Sequence, residues 1–329
     1  MKHKVVAAGH VALDITPVFP TGKTYASVNE VFVPGKLINV GRAEFSVGGA
    51  VSNVGLAFQK LGADVSLMGK IGDDDLGRII QRIYREYGVG GLIVDKNVTT
   101  SYTIAVAPPG IDRIFLHDPA ANDTFTCDDI SDEALEGAEV FHFGYPPLMR
   151  SMYENDGEEL LKIFRRVHGK GILTSLDMAA VDPNAECARA NWRRILEKVL
   201  PYVDYFVPSL EEILFMLGPD CKTAKDAANE CFRLGAKTVL IKCGTDGNYY
   251  KSAEEEGAQP CFTPPFVASA TGAGDTSIAA FLFAQLEGKS LHESAALASA
   301  EGACCCTAYD TISGLKTMPE LEEMVKAGC

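Results

Sequence analysis

The chain has 329 residues, 47% hydrophobic and 22% charged, the composition of a globular enzyme, and room for one large α/β domain plus a small appendage. A formal net charge of -14 leaves no basic stripe with which to neutralise the phosphates of a nucleic acid. The apolar run Val5-Val6-Ala7-Ala8 is too short for a signal peptide and no later run approaches the length of a membrane span, so a cytoplasmic protein with no membrane partner is expected. The ten cysteines and six histidines show no zinc-type spacing, and the cysteines read as small buried hydrophobes in a reducing compartment.

In chain order, residues 4–8 read as a strand, 51–61 as a helix with Val54, Ala57, Phe58 and Leu61 on one face, and 64–68 as a strand. Residues 138–143 are strand-like, 158–167 helical, 171–176 strand-like, 192–200 helical, 203–207 strand-like, 223–234 helical and 237–242 strand-like. This alternation predicts βαβ units: a mainly parallel sheet with helices on both faces. Two segments interrupt it. Residues 15–46, rich in Pro, Gly, Thr and Val, and residues 99–117 read as short β-strands with turns. They predict either a small sheet standing off the main domain or a pair of surface loops.

The most informative stretch is Ala270-Thr271-Gly272-Ala273-Gly274-Asp275, followed by an apolar helix that runs through Phe281 and Leu286. Glycines at a helix N-terminus let backbone N–H groups converge on an anion, and the helix dipole adds positive potential. An Asp in the first turn can take a proton from a hydroxyl aligned with that anion. Taken alone, such a stretch is more often close packing than a site. No G-x-x-x-x-G-K-[ST] loop occurs, and the first strand leads into Gly9-His10-Val11-Ala12-Leu13-Asp14 rather than G-x-G-x-x-G. Near the other end, Gly48-Gly49 precede the helix that carries Asn53, and Asp14 follows the first strand. These groups suit the hydroxyls of a small polyol, although a tight loop and a turn residue would also account for them.

Jointly, the pattern resembles the ribokinase-like (PfkB) carbohydrate kinase family. The matching pieces are Gly48-Gly49 with Asn53 and Leu61-Gly62, Gly69-Lys70-Ile71-Gly72-Asp73-Asp74 with Gly77, and Thr271-Gly272-Ala273-Gly274-Asp275. Lesser matches are Lys242-Cys243-Gly244 with Gly247, and Ala121-Asn122. The resemblance implies a three-layer α/β/α core with a small β-sheet lid. Residues 1–14, 47–96 and 120–329 would form the core, and residues 15–46 and 97–119 the lid. It also implies an ATP-dependent kinase that transfers the γ-phosphoryl group to a hydroxyl of a sugar or polyol, with Mg²⁺ as cofactor and a homodimer through the lid.

Carried over, Asp275 would be the catalytic base and Gly272, Ala273 and Gly274 the anion hole. Asp14, Gly48, Gly49 and Asn53 would bind the acceptor, Lys242, Gly244, Gly247 and Thr271 the nucleotide, and Asp177 would lie near the phosphates. The sequence departs from the family in three places. The N-x-x-E that organises water around Mg²⁺ is here Ser209-Leu210-Glu211-Glu212, so Glu212 would act through water. Ser269 replaces the Asp that helps hold a monovalent cation in potassium-activated relatives, so no such cation is expected. Glu301 stands near where relatives place an Asn beside adenine. A nucleoside kinase of the same fold and a catalytically silent binding or regulatory protein are the competing readings. An acceptor that is uncharged and carries vicinal hydroxyls is expected, with Arg113 the residue able to overturn that.

Overall fold

The computed structural model describes residues 2–20, 22–111 and 113–328. The strands of the first part are β1 (Lys4–Gly9), β2 (Ala12–Pro17), β3 (Ala43–Gly48), β4 (Asp64–Met68), β5 (Lys70–Gly72), β6 (Ile93–Asp95), β7 (Tyr102–Val106) and β8 (Ile114–Asp118). Those of the second are β9 (Val140–Gly144), β10 (Leu173–Leu176), β11 (Tyr205–Phe206), β12 (Thr238–Lys242), β13 (Asn248–Lys251) and β14 (Glu256–Gln259). Eight strands form one sheet in the order β14-β13-β12-β11-β10-β9-β1-β4, parallel from β12 to β4. The hairpin β13–β14 closes one edge antiparallel.

The strand side chains alternate between two cores, because successive residues point to opposite faces. Val5, Val140 and Leu240 pack on the helices Ala50–Leu61, Ala273–Leu286 and Leu291–Cys305. Val6, Phe141, Phe143 and Ile241 face Glu158–Gly169, Trp192–Val199, Leu210–Leu217 and Ala224–Arg233. The result is a three-layer α/β/α domain. The helix Ala273–Leu286 is apolar on all sides and packs between its two neighbours, so residues 275–284 are all buried. Truncating its central Phe281 to Ala would cost about 3–5 kcal/mol, which shows how firmly the helix start is anchored.

A separate four-stranded sheet, β3-β2-β7-β8, carries its own small core of Phe19, Val31 and Val106, with Ile104 and Ile114 beside them. Residues 15–46, expected as short strands with turns, also hold one helical turn. Only the end of β2 and β3 are strands, and between them lie turns and the four-residue helix Val28–Val31. Pro17, Pro20 and Pro34 remove ladder donors there, and the segment instead lays Phe19 and Val31 on the sheet. No helix among the described residues is long and apolar enough to cross a membrane.

Candidate active site

The carboxyl ends of the parallel strands deliver polar residues to one place, as such sheets do. His10 follows β1, Tyr145 follows β9, Asp177 follows β10, and Lys242 ends β12. Opposite them stands the N-terminus of Ala273–Leu286, with Gly272 as its cap residue. Gly272 has φ +79°, and a Cβ there would lie 2.4 Å from Thr311 Cγ2, so the turn that starts this helix needs glycine twice over. The Ala273 amide reaches the Ala270 carbonyl only at 3.4 Å, and first-turn amides have no partner within their own helix.

Asp275, in that first turn, is 3% exposed. Asn53 Nδ2 donates to its Oδ2 at 2.8 Å, and the Tyr145 hydroxyl lies 2.8 Å from Oδ1 and 2.7 Å from Oδ2. Thr311 Oγ1 donates to Asn53 Oδ1 at 2.9 Å, fixing the amide in this orientation. Burial pushes the Asp275 carboxyl above the ordinary carboxylate range, while the Lys242 charge and its hydrogen-bond donors pull it back. A carboxyl held in this way by two donors is placed to accept a proton from a group that reaches it.

Lys242 Nζ donates to Asp177 Oδ1 at 2.9 Å, with the Asp177 side chain buried and that of Lys242 nearly so. A Cβ built on Gly274 would lie 3.6 Å from Lys242 Nζ, which places the ammonium against the first turn that carries Asp275. Burial pushes the Asp177 carboxyl up to about 8, with Glu212 and Asp275 adding to the rise. Burial would lower the Lys242 ammonium, but the charges of Asp177, Glu212 and Asp275 outweigh it and raise it. The chain turns through Gly244–Asp246 to Gly247 directly after Lys242, so these nucleotide-site candidates are contiguous. From the small sheet, Arg113 donates to Ser269 Oγ at 3.1 Å and to Thr271 Oγ1.

Asp14 sits in β2, opposite Ser46 of β3 and Thr103 of β7. Gly48 is required by its approach: a Cβ there would lie 2.2 Å from Asp14 Oδ2. Burial lifts the Asp14 carboxyl to about 6, against a hydrogen bond from Thr103. Gly49 is the cap residue of Ala50–Leu61, the helix that carries Asn53. Thr103 Oγ1 also lies 3.1 Å from His117 Nδ1, and His117 Nε2 lies 3.4 Å from His10 Nε2. The His10 ring is 6.0 Å from that of Tyr145. A continuous polar and aromatic wall therefore runs from Asp14 to Asp275. Within it His10 Nδ1 is buried without a hydrogen-bond partner among the described residues, and burial drives the imidazole down to about 3, so the ring is neutral.

Where the sequence departs from the pattern it resembles, the side chains are committed locally. Glu212 Oε2 accepts from the Ser209 amide at 2.8 Å in a capping box, yet its charge still acts on Asp177, Lys242 and Asp275. Glu301 is buried and accepts from the Lys316 amide. Among the described residues no group of three or more His, Cys, Asp or Glu side chains is arranged to hold a metal ion directly.

Tyr145, His10, His117 and Thr311 are absent from the sequence-based site. The rule that singles out Asp177, a polar residue ending a buried parallel strand, applies equally to Tyr145 after β9, and the following Pro146-Pro147 mark the break. Thr311 carries no such local signal.

Known proteins share this fold and sequence family. The profile described as pfkB family carbohydrate kinase matches residues 3–318. Fructokinase-1 of Zea mays is 28% identical over 336 residues, covering 98% of this chain and 97% of the relative. Among solved structures, a fructokinase with bound ATP from Xylella fastidiosa superposes with a TM-score of 0.79 at 20% identity, covering 99% of each chain. A putative ribokinase II in complex with ATP and Mg²⁺ from E. coli gives 0.75 at 22%, again covering 99% of each. With the family profile spanning nearly its whole length over this fold, the chain belongs to the pfkB family of carbohydrate kinases and is a phosphotransferase with an alcohol group as acceptor.

Proposed function

We propose that the chain transfers the γ-phosphoryl group of ATP to a hydroxyl of a small, uncharged sugar or polyol, with Asp275 as base. The observation that carries this reading is the placement of Asp275: buried, oriented by Asn53, and in the first turn of a helix whose dipole points at the transferring phosphate. As the acceptor oxygen bonds to the γ-phosphorus and the bond to the β–γ bridging oxygen breaks, its proton passes to Asp275. The amides of Gly272, Ala273 and Gly274 carry the charge on the transferring group. Lys242, held by Asp177, adds a fixed positive charge beside them. Gly244 and Gly247 shape the turn that takes the nucleotide, and Thr271 begins the phosphate loop. Mg²⁺, which keeps several of its waters, suits a site where Glu212 contributes charge rather than a direct bond, and when bound it neutralises phosphate charge.

Asp14, against Gly48 and beside Gly49, accepts hydrogen bonds from the acceptor's hydroxyls. The small sheet serves as the lid, its Arg113 reaching Ser269 and Thr271 across the cleft and excluding water when closed. Phe45, Phe115 and Leu116 are exposed on that sheet and support a homodimer through it. The names of the curated relatives favour a hexose over a nucleoside. The test is ADP release over a panel of neutral sugars, polyols, nucleosides and acidic or phosphorylated sugars. Turnover confined to neutral sugars or polyols is expected. Preference for a charged acceptor, abolished by Arg113→Ala, would overturn the acceptor class, and no turnover on any compound would favour a silent binding protein.

A further inference from the structure

The geometry points to Tyr145 as a positioning residue that caps the base: without an acceptor, its phenol takes the place at Asp275 that the acceptor hydroxyl must occupy, and so keeps water from it. This rests on Asp275 being the base. One O–H lies within 2.8 Å of both carboxylate oxygens, while Asn53 occupies a further position on Oδ2. An acceptor hydroxyl has to reach the same carboxylate before losing its proton, so phenol and acceptor compete for one position. The backbone supports a dedicated placement. Tyr145 has φ 68° and ψ 41°, the left-handed region, which a residue with a Cβ keeps only where its surroundings hold it. Fully buried β9 precedes it, Pro146-Pro147 follow, and the His10 ring lies alongside.

An uncapped base would activate water as readily as a sugar. The water oxygen would bond to the γ-phosphorus, the bond to the bridging oxygen would break, and the proton would pass to Asp275, giving ADP and inorganic phosphate. The phenol excludes that water and is a poor nucleophile itself, since burial and the nearby Asp275 and Asp177 charges hold its proton on. The groups facing Asp275 are Asn53 from Ala50–Leu61, Asp177 after β10, Glu212 from Leu210–Leu217, Lys242 from β12 and the Cys305 thiol from Leu291–Cys305. Deleting the phenol hydroxyl leaves this set of charges intact and removes one donor.

Tyr145→Phe keeps the ring and loses the hydroxyl. With Mg²⁺ and ATP and no sugar present, its rate of ADP release should exceed that of the unaltered enzyme by about tenfold or more. In nucleotide-free protein labelled with ¹³C at aspartate carboxyls, with Asp275→Asn assigning the resonance, the Asp275 titration midpoint should move up by about one pH unit. An unmoved midpoint would overturn the cap, because the phenol would then not be holding the carboxylate. A moved midpoint without added hydrolysis would overturn it too, since water would be kept out by something else. The added hydrolysis should vanish in Tyr145→Phe/Asp275→Asn. If it persists there, the assignment of Asp275 as base fails, and the cap with it.

Discussion

Lys242→Met tests the electrostatics on which the site is built. The substitution keeps a straight side chain and deletes an ammonium 2.9 Å from Asp177 Oδ1, where the two side chains are 11% and 1% exposed. Removing one partner of a buried pair strands the other charge at a cost of about 3–5 kcal/mol, a factor of about 10²–10⁴ in the folding equilibrium. Asp177 can relieve part of this by taking a proton. Its carboxyl already sits at about 8, far above the unfolded value of about 3.9, and loss of the ammonium pushes it higher. A group raised on folding stabilises fully below its unfolded value and loses that contribution as pH climbs toward the folded one. The unaltered protein and the variant lose it alike up to about pH 8, above which only the former's Asp177 ionises against Lys242, so the penalty should deepen between about pH 8 and pH 10, by up to about 1.4 kcal/mol per unit. Urea unfolding of Lys242→Met, Asp177→Asn and the double variant at both ends of that range reads this directly. The double variant should recover most of the loss and show little pH dependence. A Lys242→Met penalty that is the same at both pH values and is not rescued by Asp177→Asn would refute the reasoning.

Three further outcomes are expected. Gly48→Ala places a Cβ 2.2 Å from Asp14 Oδ2, so the carboxylate must move; steady-state kinetics should show the acceptor KM rising about tenfold or more while the ATP KM stays within about twofold. Tyr84→Phe removes the hydroxyl that pairs with Ser52 at 2.7 Å, and because Ser52 keeps its bond to the Gly48 carbonyl, denaturation should show a loss of only about 1 kcal/mol. With Ser269 in place of a carboxylate, turnover should change little when K⁺ replaces tetramethylammonium, and a many-fold activation would contradict that.

The layers were legible in the sequence because their signals are local. Each parallel strand is a short apolar run between turn residues, and the proposed phosphate loop is contiguous from Thr271 to Asp275. The contacts that tune the site are not local. Tyr145 lies 130 residues before Asp275, and Lys242 lies 65 after Asp177, so only the strand order brings them together. The edge hairpin escaped for a different reason: β14 is partly exposed and follows an acidic turn at Glu254-Glu255, with no apolar run to mark it. In the small sheet, β7 and β8 show strand residues, whereas Phe19 and Val31 cover the sheet from coil and a single helical turn, a role with no period. The departure at Ser209 was visible as a residue change, but the bond its amide donates to Glu212 depends on the turn at the start of that helix.

The measurement closest to the central claim is turnover of Asp275→Asn with the best acceptor of the panel, alongside ATP binding to the same protein. Loss of the base should lower kcat by about 10²–10⁴-fold and leave ATP affinity nearly unchanged, since Asn keeps the shape and the bond network around Asn53 and Tyr145. Near-normal turnover would remove Asp275 from the mechanism.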